Sequence, residues 1–137
     1  MFERWVAHKV WIKDLMEGKW EKEPERESSY LKIKDGRKIV RCRILGTIIT
    51  KFLSEDGNYA FFAVDDGSDV IRLKMFGDEV KKFENFNKGD VVDVIGRVRE
   101  YDGETYISPE IIVKVQNPNY EFLRKIELKI IHNKGGS

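Results

Sequence analysis

The feature that most constrains the fold of this chain is a stretch, Lys38–Gln116, in which apolar and polar side chains alternate with a period of two. Glycine- and aspartate-rich turn sequences interrupt the alternation at short intervals, which is typical of strands joined by tight turns. The pattern predicts five strands: Ile39–Leu53, Tyr59–Asp65, Val70–Phe76, Val91–Arg99 and Glu104–Val115.

One helix is predicted between the third and fourth strands, where Asp78 is a candidate N-cap and the next apolar residues recur at helical spacing up to Asn87–Asp90. Gly46 and Gly96 inside long strands predict bends, and Pro109 predicts a bulge or edge position. Five strands with a helix at that place are the plan of the OB-fold. We therefore predict an all-β, five-stranded Greek-key barrel with flanking helices, and an open sandwich is the competing architecture.

The flanking segments divide the chain further. Residues 1–37 are predicted to form an extension with a strand at Val10–Ile12, a helical turn at Asp14–Glu17, a loop at Glu21–Glu27 and a strand at Tyr30–Ile33. The apolar residues before Gly18 also fit one amphipathic helix. Residues 38–116 are the predicted barrel, residues 117–134 a C-terminal helix opened by Pro118, and residues 135–137 the start of a linker.

Charge and composition narrow the class of protein. The chain has 25 Lys and Arg against 24 Asp and Glu, a net charge of +1, which excludes a polycation that coats nucleic acid by bulk charge. Its single cysteine, Cys42, excludes an internal disulfide and a cysteine-based zinc site. No apolar stretch has the length of a membrane span or the form of a signal peptide. We expect a cytoplasmic, nucleoid-associated protein without a membrane partner.

The sequence offers little for catalysis. His8 and His132 lie at opposite ends of the chain, and no glycine-rich phosphate-binding motif is present. Asp65, Asp66 and Asp69 are the best candidates for a magnesium site, but their arrangement is more typical of a turn between two strands. We therefore expect no enzymatic activity, no metal, no cofactor and no small-molecule substrate.

Binding chemistry is better supplied, because cations and rings alternate on two predicted strands. Arg72, Lys74 and Phe76 share one strand face, and Arg97, Arg99 and Tyr101 repeat that spacing on the next strand. Single-strand binders combine cations for phosphates with rings on which bases stack. Further candidates are Arg41, Arg43, Lys51, Tyr59 and Tyr106. Alternating charge is also what any solvated strand shows, so the pattern alone does not establish a function.

Three segments carry a resemblance to a known family: IVRCRILGTIITKF from Ile39, NYAFFAVDDGSDVIRLKMFGD from Asn58, and GDVVDVIGRVREYDGETYISPEII from Gly89. Together with the flanking His8–Gly18 and Asn117–Lys134, they resemble the middle subunit of replication protein A in its archaeal form. The resemblance implies single-stranded-DNA binding in DNA replication, repair and recombination. It also implies that Phe76 and Tyr101 match the paired stacking aromatics of that family.

The C-terminal helix is apolar over more than one face and is therefore a predicted oligomerisation element. Its apolar residues are Phe122, Leu123, Ile126, Ile130 and Ile131. The resemblance implies a heterotrimer held to other OB-fold subunits by a three-helix bundle, whereas the helix alone also fits packing across its own barrel.

Two other functions remain open from the sequence. One is an assembly subunit that scarcely touches DNA, as in telomere-capping relatives. The other is an OB domain for RNA or tRNA. The barrel segment holds 12 basic and 14 acidic residues, which favours weak DNA affinity in isolation and an assembly that shares the affinity among barrels.

Overall fold

The structure is a computed structural model that describes residues 6–22 and 29–135. These residues form nine strands and three helices in the order β1 (Ala7–Lys9), α1 (Ile12–Met16), β2 (Lys19–Lys22), β3 (Ser29–Lys32), β4 (Lys38–Ile39), β5 (Arg41–Leu53), β6 (Tyr59–Asp65), β7 (Val70–Phe76), α2 (Asp78–Lys82), β8 (Val91–Tyr101), β9 (Glu104–Lys114) and α3 (Pro118–Gly135).

The strands β5 to β9 close into a barrel. The order in the sheet is β5-β6-β7-β9-β8, and β8 pairs again with β5. All pairings are antiparallel except β7 with β9, which meet in parallel at Leu73 and Ile107. Because the only helix between the third and fourth barrel strands of the described chain is α2, this topology confirms the predicted OB-fold and excludes the open sandwich.

Strand β5 belongs to both halves of the barrel, as its internal glycine predicts. Its first half, Arg41–Thr47, pairs with β8, and its second half, Thr47–Leu53, pairs with β6. Gly46 lies beside the change of partner, where a Cβ atom would stand 2.6 Å from the Asp65 carbonyl oxygen. Gly96 is equally crowded, at 2.5 Å from the Ser108 carbonyl, opposite the register shift that Pro109 predicts.

The hydrophobic core is shared between the barrel and the segment that precedes it. Inward side chains such as Phe62 and Leu73 pack in one cluster with Ile12, Leu15 and Leu31 of the N-terminal segment. The indole of Trp20 packs against this cluster, and its Nε1 donates a hydrogen bond to Thr105 Oγ1 at 3.2 Å. The segment before the barrel therefore stabilises it by burying apolar surface.

The N-terminal segment differs from the prediction in detail. The first strand is Ala7–Lys9, parallel to β5, and the predicted strand at Val10–Ile12 is wrong, as is the single amphipathic helix. Helix α1 begins at Ile12 because the Ile12 amide donates to Asp66 Oδ2 at 2.8 Å and the Lys13 amide to Ser68 Oγ at 3.1 Å.

Strand β2 pairs with β3 in a second sheet and takes up Glu21 and Lys22, which the sequence places in a loop. The rest of that predicted loop, residues 23–27, lies outside the described residues. Of the predicted linker, Gly135 ends α3, and residues 136–137 lie outside the described residues.

Helix α2 is shorter than predicted and begins one residue earlier. Gly77, with φ of +60°, occupies the N-cap position, and Asp78 lies in the first turn. The chain leaves the helix at Phe83, whose buried ring packs near Phe86 at 6.4 Å between centroids. The helical spacing of the apolar residues therefore continues beyond the end of the helix, into the turns that follow Phe83.

Helix α3 packs one of its sides against the outside of the barrel. Arg124 and Leu128 are buried on that side, and Arg124 Nη2 donates to Asp93 Oδ2 at 2.9 Å. Tyr120 also donates its hydroxyl proton to Asp93 Oδ2, at 3.0 Å. No helix of the described chain is long and apolar enough to span a membrane.

Candidate nucleic-acid interface

Four aromatic rings form a cluster on the outer face of β5, β6 and β7. We call Phe52, Tyr59, Phe61 and Phe76 the ring cluster. Phe52 and Phe61 are cross-strand partners whose centroids lie 5.3 Å apart, and Tyr59 and Phe76 are partners at 5.1 Å. Tyr59 joins the two pairs, at 6.0 Å from Phe52 and 6.3 Å from Phe61.

The ring cluster is exposed because of the period of the strands. Along β6, Ala60 and Phe62 point into the core, so Tyr59 and Phe61 point outward. Phe52 keeps 43% and Phe76 54% of its surface exposed to solvent. Large apolar rings that stay in water on a sheet whose core is filled are suited to stack on nucleobases.

Two cations of β7 lie against aromatic rings beside this cluster. The Arg72 guanidinium is 4.5 Å from the centroid of Phe61, and Lys74 Nζ is 4.6 Å from that of Tyr106 on β9. Glu104 reaches both cations, with Oε1 accepting from Lys74 Nζ at 2.7 Å and Oε2 3.8 Å from Arg72 Nε. The predicted partners Arg72, Lys74 and Tyr106 thus meet on one face.

Strand β8 extends this face through Arg97, Arg99 and Tyr101, which stand opposite outward residues of β9. Arg99 pairs in register with Tyr106, and Tyr101, 73% exposed, with Glu104. Over the described residues, the structure records no salt bridge for Arg97 or Arg99. Their exposed guanidiniums are available to phosphate oxygens.

Three predicted nucleic-acid contacts, one of them the register partner of Arg97, are bound by other groups of the protein. Arg41 binds Glu110 with two hydrogen bonds, at 2.9 and 2.5 Å, and Arg43 binds Asp93 and Tyr120 under α3. Lys51 points to the side opposite Phe52, where its Nζ donates to the Glu84 carbonyl at 2.8 Å. The alternation along a strand assigns a side chain to one of two faces, but it does not predict which acceptor groups from other segments lie beside that side chain.

Two members of the ring cluster, Phe52 and Phe61, are not among the binding residues predicted from the sequence. A signal for them exists, because the tight turn at Ser54–Asn58 sets Leu53 opposite Ala60 and therefore Phe52 opposite Phe61. Of the three rings Tyr59, Phe61 and Phe62 on β6, only Phe62 is buried in the core.

The three aspartates considered for magnesium form a turn. Asp66 Oδ1 accepts from the Ser68 amide at 2.8 Å and from the Ser68 hydroxyl at 2.6 Å, Asp65 Oδ1 accepts from the Gly67 amide, and Asp69 Oδ1 accepts from the Val70 amide. Within residues 6–22 and 29–135, no group of three or more histidine, cysteine or acidic residues is arranged to hold a metal ion. What the described surface does present is exposed rings and exposed cations on one face.

Comparison with known proteins agrees with this geometry. A family model described as an OB-fold nucleic acid binding domain matches residues 42–123, which includes the ring cluster and the cations of β7 and β8. An uncharacterised protein of Methanocaldococcus jannaschii is 36% identical over 126 residues. The match covers 92% of this chain and 48% of that protein, so the chain spans about half the length of this relative.

Solved structures share the architecture. A chain of a replication protein A heterotrimer bound to ssDNA has a TM-score of 0.74 at 15% identity, covering 95% of this chain and 98% of that one. A chain of the S. pombe Stn1–Ten1 complex has a TM-score of 0.70 at 21% identity, and the match covers 94% of this chain and 98% of that one. A chain of yeast replication protein A bound to ssDNA has a TM-score of 0.69 at 18% identity, and the match covers 93% of this chain and 89% of that one. These likenesses show the fold, and the match of the family model shows the family: the chain belongs to the OB-fold nucleic-acid-binding domains.

Proposed function

We propose that this chain is a single-stranded-DNA-binding subunit of a replication protein A-like heterotrimer, of the archaeal middle-subunit kind, acting in DNA replication, repair and recombination. The observation that carries the proposal is the ring cluster on the outer face of β5 to β7, bordered by Arg72, Lys74, Arg97 and Arg99. A single strand exposes both the bases that stack on such rings and the phosphates that such cations bind.

The face binds by two kinds of contact that tolerate any sequence. Bases stack on the exposed rings, at about 1–3 kcal/mol per base, while guanidinium and ammonium groups hold the backbone. Duplex DNA hides the faces of its bases inside the helix, so the rings favour single strands. Since the barrel segment has 12 basic and 14 acidic residues, the affinity of the isolated chain is expected to be low.

The helix α3 supports the assembly part of the proposal. Leu123, Ile126 and Ile130 lie on one side of α3 and are exposed, while Arg124 and Leu128 hold the other side to the barrel. An apolar face that its own barrel leaves uncovered fits packing against helices of other OB-fold subunits. The related folds occur in a replication protein A heterotrimer and in a Stn1–Ten1 complex, both of which are assemblies. Several linked barrels then add their weak affinities.

The stacking assignment is tested by truncating two rings. Phe76→Ala with Tyr101→Ala removes one ring from the cluster and the single ring of β8, which is 73% exposed. We expect the affinity for oligo-dT at low salt to fall about tenfold or more, because at least one stacked base is lost. Fluorescence anisotropy of a labelled oligonucleotide measures the change, and binding by the unaltered chain is expected to weaken as salt rises.

Tyr30→Ala is the matched control, because its ring lies on the second sheet, where it donates to Glu21. This variant is expected to bind oligo-dT like the unaltered chain. Equal binding by the double variant and the unaltered chain would show that Phe76 and Tyr101 do not stack on bases.

The other two functions give different results in the same assay. An assembly subunit with little DNA contact, for which the folds of the Stn1–Ten1 complex are the structural parallel, shows no measurable oligo-dT binding even at low salt. An RNA-binding domain prefers oligo-U to oligo-dT, since the 2′-hydroxyl distinguishes the two polymers. Preference for oligo-dT over both oligo-U and duplex DNA is the result that the proposal requires.

A further inference from the structure

The carboxylate of Glu104 lies in the middle of the face that carries the candidate phosphate-binding cations. Its two oxygens are directed to different cations, Oε1 to Lys74 at 2.7 Å and Oε2 to Arg72 at 3.8 Å. The Lys74 side chain is 12% exposed, enclosed by Glu104 and the ring of Tyr106. A carboxylate that bridges two cations occupies the position that two oxygens of a phosphodiester would take.

The backbone next to Glu104 fixes where this carboxylate stands. Asp102 and Gly103 have φ values of +50° and +80°, the geometry of a two-residue hairpin turn with both central residues left-handed. Glu104 is the first residue after that turn, and it pairs with Tyr101 across the hairpin. Its side chain therefore projects from the start of β9 over the face, toward β7.

We propose that Glu104 is an internal counter-ion that competes with the DNA phosphate for Lys74 and Arg72 and so sets the affinity and the salt dependence of this face. The inference rests on the proposed function and adds to it a residue that weakens binding. Arg97 and Arg99 have no such carboxylate partner among the described residues, so they make the first phosphate contacts. Lys74 and Arg72 bind a phosphate only where that phosphate displaces the Glu104 carboxylate.

The competition has a consequence for counter-ion release. While Glu104 holds Lys74 and Arg72, these two cations neutralise little phosphate charge. Each phosphate of a single strand that a cation neutralises contributes about 0.7 to the slope of log affinity against log salt. Freeing both cations is therefore expected to steepen that slope by up to about 1.4.

The test replaces Glu104 by its neutral isostere. For Glu104→Gln we expect the affinity for oligo-dT at low salt to rise about fivefold, the size of effect that an exposed ion pair exerts, and the salt slope to steepen. The full chain is titrated with labelled oligo-dT at several salt concentrations. Adding Lys74→Gln to Glu104→Gln is expected to remove about half of the gain or more, because one of the two released cations, the one closer to Glu104, is then absent.

Glu100→Gln is the matched control. Glu100 lies in the same hairpin and its loss changes the net charge equally, but it pairs with Thr105, whose hydroxyl faces Trp20 on the other side of the sheet. We expect its effect on affinity and slope to be much smaller than that of Glu104→Gln.

Three outcomes overturn the inference. Equal gains from Glu104→Gln and Glu100→Gln mean that only net charge matters, and no gain from Glu104→Gln means that Lys74 and Arg72 do not meet phosphate. In both cases binding by the unaltered chain leaves the proposed function standing. Absence of oligo-dT binding in every variant, the unaltered chain included, overturns the proposed function and this inference together.

Discussion

Gly46 is the residue at which β5 changes strand partners, and its importance is steric. Its φ is outside the left-handed region, so the backbone conformation does not demand glycine. The lack of space demands glycine, because an added Cβ would stand 2.6 Å from the Asp65 carbonyl oxygen. That oxygen belongs to the backbone and is held in place by the pairing of β5 with β6. An atom so placed forces the two strands apart or shifts their register.

Gly46→Ala is therefore expected to destabilise the fold by about 1–3 kcal/mol, the range for overpacking a filled site. The measurement is urea unfolding followed by tryptophan fluorescence, with a lower midpoint and an unchanged slope expected. Thr50→Ala, on the exposed side of the same strand, is the control and is expected to change stability by less than about 1 kcal/mol. A Gly46→Ala variant as stable as the unaltered chain would contradict the steric account.

At this scale the sequence allowed the faces to be predicted but not the partners. The alternation in Arg72, Lys74 and Phe76 predicts one shared face, and the structure has them there. Arg43 and Lys51 were also predicted to contact nucleic acid, but Arg43 is bound to Asp93 and Lys51 to the Glu84 carbonyl. Those partners come from distant segments, and a periodic pattern along one strand contains no information about them.

At the scale of elements, Asp93 is the buried charged group that links α3 to the barrel, beside the burial of Leu128 and the ion pair of Lys9 with Glu127. It is almost fully buried and accepts hydrogen bonds from Arg43, Arg124 and Tyr120. Burial raises the pKa of Asp93, but the hydrogen bonds and charges of Arg43 and Arg124 outweigh burial, so the pKa lies below its ordinary value. The carboxylate thus contributes stability that is present above its ordinary pKa of about 4 and is lost as the pH falls through the lowered value.

Asp93→Asn is expected to destabilise the chain by about 3–5 kcal/mol at pH 7, because Arg124 stays buried without its counter-ion. The variant should also lose part of the decrease in stability that the unaltered chain shows below about pH 4. Urea unfolding at pH 7 and at acid pH measures both effects.

Glu110→Gln serves as the control for Asp93→Asn, because the Glu110 side chain is 40% exposed and its ion pair with Arg41 is worth less than about 1 kcal/mol. If Asp93→Asn and Glu110→Gln destabilise the chain equally, Asp93 is not the residue that anchors α3.

The elements were predictable to different degrees. The bounds of β6 and β7 follow from alternation between two clear turns, and the start of α3 follows from Pro118. Strand β2 was not predicted, because Lys19–Lys22 carries two lysines and a glutamate around Trp20 and lacks a regular apolar pattern. The burial that holds β2 in place comes from the Trp20 contact with the core, which depends on tertiary structure.

At the scale of the whole molecule, the structure joins a closed barrel to a C-terminal helix with an exposed apolar side. The barrel topology was predictable because the number of strands, the helix position and the internal glycines allow few closed arrangements. Which side of α3 stays exposed was not predictable from its many apolar residues. The structure separates them, with Leu128 buried, Ile131 half-buried, and Leu123, Ile126 and Ile130 exposed.

Ile126→Glu with Ile130→Glu is expected to abolish association with partner subunits, because charges on the exposed apolar face cannot be buried in a helix bundle. The measurement is recovery of other OB-fold subunits with the tagged chain from its native cells, identified by mass spectrometry. Oligo-dT binding by the isolated variant should stay unchanged, since neither residue lies on the face of β6 and β7.

Lys125→Glu is the control, because Lys125 is exposed on the same helix but faces the groove between α3 and the barrel, about 100° around the helix from Ile126. This variant is expected to keep its partners. Equal recovery of OB-fold subunits with the double variant would refute the role of the helix face.

Strand β1 also bears on whether the edge of β5 is open to pairing with a strand of another molecule. The first half of β5, Arg41–Thr47, pairs with β8 along one edge, and β6 pairs only with the second half. The other edge of Arg41–Arg43 is paired in parallel with Ala7–Lys9. Without those three residues, backbone groups of Arg41–Arg43 would form an open edge on which a strand from another chain can add. Strand β1 thus covers the edge of β5 at which a strand from another chain would otherwise be able to pair.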